Sequence, residues 1–254
     1  PLFRRLDGPN PKKSSQLSAI IPDGMTGVSS YHREAVRHQW SKWEDEISDL
    51  SLIAKVDADN SCFGKILDSF PDEKLAELFD LESGNFHITL YEFLHTKGES
   101  DQEFISKLLE NRHGFVDHLR RNLPENNGAK IQLRQTRTTT ASMQVLADIH
   151  SSYKPGTAQN FLAQVKKACE KTITASQELA QIDLAARFNV MAIPMPLHLT
   201  IGRFGYTSDG ATKDAAETWQ QTRFSTNWGL VDNFTVWLVA SRKWPNFNRQ
   251  EVKL

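Results

Sequence analysis

The stretch HITLYEF, residues 87 to 93, is written a second time as HLTIGRF at residues 198 to 204. The two copies agree at His87 and His198, at Thr89 and Thr200, and at Phe93 and Phe204. They carry apolar residues at matched places, Ile88 with Leu199 and Leu90 with Ile201. Both alternate in character and are rich in β-branched and aromatic residues, the composition of a β-strand. The chain must therefore provide two equivalent strand positions, which limits the folds open to it. Residues two apart share one face of a strand. His87, Thr89, Tyr91 and Phe93 are expected on one side, with Ile88 and Leu90 entering a core on the other. The same alternation groups His198, Thr200 and Phe204 above Leu199 and Ile201.

Around the repeat the pattern changes between periods. QLSAIIPDG (16 to 24) reads as a strand and turn, and SSYHREAVRHQWSKWEDEISDL carries a helical stripe that predicts a helix over about 30 to 48. Residues 51 to 80 are ambiguous: SCFGKILDSF reads as a strand and DEKLAELFD as a short helix. Phe104, Leu108, Phe115 and Leu119 place one helix between Asp101 and Leu123, stopped before Pro124. AKIQLRQTRT and SMQVLADIH alternate as neighbouring strands, and a long amphipathic helix follows over about 157 to 188. A short helix near 211 to 222 and the strand NFTVWLVAS (233 to 241) close the order, which is that of a mixed α+β chain.

Composition sets the class. At 254 residues, 39% hydrophobic and 24% charged, the chain has the make-up of an ordinary globular protein. Its formal net charge of -1 provides no global basic field for nucleic acid, although a local basic cleft is compatible with it. No apolar run approaches the roughly 18 to 20 residues of a membrane span, so no membrane partner is expected. Residues 1 to 15 read as a basic flexible tail and residues 16 to 254 as one domain; the start at Pro1 fits either loss of a methionine or a segment of a longer protein. Cys62 and Cys169 lack metal-ligand spacing and are expected as reduced thiols in a cytoplasmic or nuclear setting, with a long-range disulfide as the other reading.

A histidine and a threonine side by side on an accessible strand face suit phosphodiester chemistry. One group must take a proton from the attacking oxygen and another must protonate the leaving oxygen, and histidine titrates near working pH. A threonine hydroxyl can donate a hydrogen bond to a non-bridging phosphate oxygen, where charge accumulates in the transition state. Two such faces provide both proton-transfer groups and a two-sided phosphate clamp. His150, in DIHSSYKPG, also has a serine two residues on, but it lies where a strand runs out and lacks the flanking apolar residues, so it reads as surface.

The paired His-x-Thr motifs resemble those of the 2H phosphoesterase superfamily, which includes 2′-5′ RNA ligase-like proteins and cyclic phosphodiesterases. HLTIGRF is especially similar to the second motif of the RNA ligase-like branch, which carries an arginine at the place of Arg203. The resemblance implies a bilobal α+β fold: two antiparallel sheets with flanking helices and pseudo-twofold symmetry around a central cleft, one motif per lobe. It further implies that His87 and His198 are the acid/base pair, that Thr89 and Thr200 hold the phosphate, and that neither metal nor other cofactor is needed. RNA or a small nucleotide is the implied substrate, with 2′,3′-cyclic phosphate ends and 2′-5′ linkages as the bonds attacked. A module that binds RNA or nucleotide in the same cleft without turnover is the alternative.

Three further residues are candidate substrate contacts. Tyr91 either stacks on a base or ribose or packs under the adjoining loop. Arg203 either meets phosphate or makes a surface ion pair, and strict alternation turns it away from His198 unless Gly202 bulges the strand. Arg134 lies in KIQLRQTRTTT, whose Lys130, Gln132, Arg134 and Thr136 are expected on one face, either as a rim for an RNA backbone or as a solvated strand face. Trp40, Trp43 and Trp237 are expected to pack in the core.

Overall fold

The computed structural model describes residues 47–57, 60–71, 73, 75–76, 79, 86–97, 99–110, 114–125, 129–139, 142–151, 161–180, 183–203, 210–242 and 248–254. The expected tail, the strand at 16–24, most of the helix at 30–48 and Trp40 and Trp43 lie outside these residues, as does Phe204. The described chain is α+β. Its strands are β1 (Ile47–Val56), β2 (His87–Lys97), β3 (Ala129–Thr138), β4 (Ser142–Ser151), β5 (His198–Arg203), β6 (Asn227–Val231), β7 (Phe234–Arg242) and β8 (Asn248–Lys253). Its helices are α1 (Ser61–Asp68), α2 (Glu99–Leu109), α3 (Phe115–Asn122), α4 (Phe161–Ala180), α5 (Leu184–Arg187) and α6 (Gly210–Arg223).

All eight strands form a single sheet in the order β6-β3-β4-β5-β2-β1-β7-β8, with every neighbouring pair antiparallel. The two sheets implied by the family resemblance are thus one. The ladder between the central strands β2 and β5 consists of the single pair Ile88↔Leu199. That single bridge joins the inner strands of the two four-stranded halves.

One face of the sheet builds the core. In β1, Leu50, Leu52, Ala54 and Val56 alternate into it, and in β4 so do Met143, Val145, Ala147 and Ile149. Helices cover this face: Phe63 and Ile66 of α1, Phe104 and Leu108 of α2, Phe115 and Leu119 of α3, Val165 and Ile173 of α4 and Trp219 of α6 join the same cluster. No helix of the described residues is long and apolar enough to cross a membrane.

Several boundaries differ from the sequence reading. Ile47 and Ser48, expected at the end of a helix, begin β1, whose apolar residues repeat at two rather than at three and four. SCFGKILD is helix α1, not a strand; Asn60 Oδ1 caps it by accepting from Cys62 N at 3.0 Å, and Cys62, Phe63 and Ile66 share its buried face. The single helix expected over 101 to 123 is two: α2 ends at Leu109, and Gly114, in the left-handed region at φ 66°, is the N-cap of α3. The long helix at 157–188 is likewise interrupted: Asp183 accepts from Ala186 N and starts α5 afresh. β7 does not close the chain, since the polar strand NRQEVK pairs along its outer side as β8. β6, only five residues long at the other edge, has no alternation strong enough to announce it.

Both cysteines are buried free thiols, and burial raises the pKa of each. Cys62 Sγ also limits β6: a Cβ on Gly229 would lie 3.0 Å from it, and Gly229 has φ 124°. Gly229→Ala is expected to lower stability by about 1–3 kcal/mol, the usual cost of forcing a side chain into such a conformation. Urea unfolding of the variant beside the parent measures it.

Candidate active site

The two copies of the repeat occupy the two central strands. Ile88 and Leu199, which hold the same place in the repeat, are the residues that pair, and both are fully buried. One residue to either side, antiparallel geometry sets His87 beside Thr200 and Thr89 beside His198, on the face away from the core. All four are half-buried. Direct cross-strand neighbours have Cβ atoms about 5 Å apart and diagonal neighbours about 7–8 Å, so the two imidazoles stand diagonally with a hydroxyl beside each. That separation accommodates a phosphate between them.

The His198 ring is oriented by the backbone. Its Nδ1 lies 3.1 Å from the Pro196 carbonyl oxygen, which can only accept. Nδ1 therefore carries the proton in this bond, and in the neutral ring Nε2 keeps its lone pair for proton abstraction.

Two irregularities in β2 decide what else shares this face. Opposite β1 the register reads Lys55↔His87, Ile53↔Thr89, Leu52↔Tyr91, Ser51↔Glu92 and Leu50↔Leu94, leaving Leu90 and Phe93 as extra residues. After the first extra residue, alternation resumes with inverted parity. Tyr91 consequently falls opposite core residue Leu52 and is 1% exposed, with its ring 4.8 Å from that of Phe93. Burial pushes its phenol up to about 12, with Cys169 and Glu170 of α4 adding to the shift. The expected place of Tyr91 on the His/Thr face is therefore overturned. Phe93 is fully buried too, against Phe115 and Phe188.

Glu92 takes the place that alternation assigned to Tyr91. It stands opposite Ser51, whose neighbours Ile53 and Lys55 in the same row face Thr89 and His87. Its backbone pairs with Ala192 in both directions, at 2.8 and 3.0 Å. Burial, then Asp49, raises the Glu92 carboxyl above its ordinary value, opposed by the charges of His95 and His198. Asp49 is raised as well, burial outweighing its 2.5 Å contact with His95 Nδ1. Nothing in the alternation of HITLYEF announced Glu92; only the shift in register found it.

A raised carboxyl keeps its proton longer in the folded state, so its contribution to stability is full below the unfolded-state pKa and is lost as pH rises through the folded one. Glu92→Gln is expected to flatten the fall in melting temperature across that window, with Asp49 retaining its own part. Thermal melts at a series of pH values check it.

On the other side of the cleft, β5 also carries a register shift. Gln144 pairs with Thr200 and Leu146 with His198, but Met143 pairs with Gly202 and Ser142 with Arg203, so Ile201 is the extra residue. The bulge that strict alternation required therefore occurs, and it brings position 203 into the row of Ser142 and Gln144.

In β3 the shift falls at Gln135, whose φ is 50°. Lys130, Gln132 and Arg134 keep the outer face, but Thr136 turns inward, 1% exposed, and donates to the Gln220 carbonyl. Arg137 appears on the outer face in its stead, opposite Gln144. Arg134 is exposed and bound to Asp148, with Nη2 donating to Oδ1 at 2.9 Å. His150 is exposed at the end of β4, as read.

Trp237 is half-buried on the outer face opposite Ile53, outside the core cluster where it was expected. Its ring centre lies 5.1 Å from Lys55 Nζ. Trp219 and Trp228 are the tryptophans stacked in the core, with centroids 6.0 Å apart.

The sequence matches no protein-family model and no curated protein.

Proposed function

We propose that the chain is a metal-independent phosphodiesterase of the 2H phosphoesterase type. Its substrate is RNA or an oligonucleotide, cleaved at a 2′,3′-cyclic phosphate end or at a 2′-5′ linkage. The observation that carries this reading is the pairing of the two repeat copies through Ile88 and Leu199, which sets two histidines and two threonines in one patch. Equivalent residues pairing with each other in antiparallel strands is the local arrangement of a twofold axis, and it favours reading each four-stranded half of the sheet as one lobe, with the cleft above their seam.

In this mechanism one histidine removes a proton from water or a ribose hydroxyl as it attacks phosphorus. The other protonates the departing ribose oxygen. Thr89 and Thr200 donate hydrogen bonds to the non-bridging oxygens, where negative charge grows in the transition state. The His198 ring, with its Nδ1 proton on the Pro196 carbonyl, presents Nε2 to the reacting atoms.

Incubation with 2′,3′-cyclic nucleotides, 2′-5′ oligoadenylate and cyclic dinucleotides in EDTA tests the reading. Products in the presence of the chelator are the expected outcome. Tight binding with no product would make the cleft a nucleotide-binding module, and turnover abolished by EDTA would sink the metal-independent mechanism.

A further inference from the structure

The row that starts at His87 and Thr200 continues across the sheet. Thr200 is opposite Gln144 in β4, and Gln144 is opposite Arg137 in β3.

Gln144 is only 9% exposed. Its Nε2 donates to Ser142 Oγ at 3.0 Å, and Ser142 is held in turn by Thr139, whose Oγ1 accepts from Ser142 N at 3.0 Å. The amide is thus oriented, yet among the described residues its Oε1 has no hydrogen-bond partner. A buried acceptor left unsatisfied carries a desolvation penalty, and such atoms in a polar site mark the place of a donor. Arg137 is exposed, and among the described residues it has no carboxylate partner. Lys55, Lys130 and Arg134 on the same face are matched by Glu251, Asp232 and Asp148.

We propose that Gln144 and Arg137 form a subsite for the nucleotide next to the scissile phosphate. Gln144 Oε1 accepts a hydrogen bond from that nucleotide's ribose hydroxyl, and the Arg137 guanidinium holds its phosphate. The order of the row gives the logic: a phosphate donor at Thr200, an acceptor one strand further, a cation beyond it. A 2′-5′-linked chain has that sequence of groups: the scissile phosphate, a ribose whose 3′-hydroxyl is free, and that ribose's own 5′-phosphate; at a 2′,3′-cyclic phosphate end the ring ties up both hydroxyls of the adjoining ribose. The inference rests on the phosphodiesterase reading and narrows its substrate to a 2′-5′-linked oligoribonucleotide.

The test compares 2′-5′-linked adenylyl-adenosine with the same dinucleotide carrying a 5′-phosphate, and with that phosphorylated oligomer carrying 3′-deoxyribose in its 5′ nucleotide. The unaltered protein is expected to prefer the all-ribose oligomer over the deoxy one by about tenfold in kcat/KM, the worth of one satisfied buried acceptor. Gln144→Met, which keeps length and loses the acceptor, is expected to erase that preference. Arg137→Ala is expected to lower kcat/KM about tenfold on the 5′-phosphorylated oligomer and leave the unphosphorylated dinucleotide unchanged. It should also reduce by about 1 the slope of log affinity for the oligomer against log salt. Equal effects of Arg137→Ala on both substrates, or no ribose preference in the unaltered protein, would overturn the subsite and leave the phosphodiesterase standing. Absence of turnover on all three, with adenosine 2′,3′-cyclic phosphate still hydrolysed, would overturn the subsite alone; absence of turnover on the cyclic nucleotide as well would overturn both.

Discussion

His87→Ala and His198→Ala are each expected to lower turnover of the susceptible nucleotide by about 10²–10⁴-fold, the range a positioned acid or base contributes. The double variant is expected to fall little below the worse single one. Two groups that act in one proton-transfer sequence are not additive: once either is missing, the other has no partner step to complete. Both side chains are half-buried on the face away from the core, so the folded state is expected to persist, and binding of a nucleotide should survive better than turnover. Single-turnover kinetics together with equilibrium binding measure the two separately. Activity equal to the parent in the double variant would remove these histidines from the chemistry altogether.

Tyr91 offers the second large effect, and it is one of stability. Tyr91→Ala removes a ring that is 1% exposed, in contact with Phe93 and opposite Leu52, and is expected to cost about 3–5 kcal/mol, the usual penalty for emptying an aromatic site in a core. Tyr91→Phe keeps the ring and is expected to leave kcat/KM unchanged. Denaturant unfolding and steady-state kinetics on the pair of variants check this. A phenylalanine variant that folds normally but loses substrate affinity would contradict the buried placement of Tyr91.

The contrast between Tyr91 and Glu92 shows where sequence reasoning stopped. Alternation places every second residue of HITLYEF on one face, and it holds for His87, Ile88 and Thr89. It holds for Leu90 too, which is buried in the core, and fails from Tyr91 on, because β2 carries one more residue than β1 across that stretch, and a single extra residue exchanges the two faces beyond it. The same event at Gln135 exchanges Thr136 for Arg137. At β5, where Gly202 had already raised the question of a bulge, the extra residue is Ile201. A bulge is a property of two strands counted against each other, so one strand's sequence carries little trace of it.

The helical region failed for a different reason. SCFGKILD is a short apolar run whose period is satisfied equally by strand and helix, and the Asn60 cap tips it to helix. Phe104, Leu108, Phe115 and Leu119 keep a helical stripe across the join, so the sequence does not announce that α2 ends at Leu109 and that α3 starts afresh behind a left-handed Gly114.

From its own order of residues the chain determined that two strands would each show a histidine and a threonine above buried aliphatic residues, because side-chain alternation over a few positions is a local property. The tertiary structure alone decided that the two strands are neighbours, that Ile88 meets Leu199, and that Glu92, Gln144 and Arg137 join the face while Tyr91, Phe93 and Thr136 leave it. Those outcomes depend on hydrogen-bond register between segments distant in sequence, and register is set by which whole faces can be buried together.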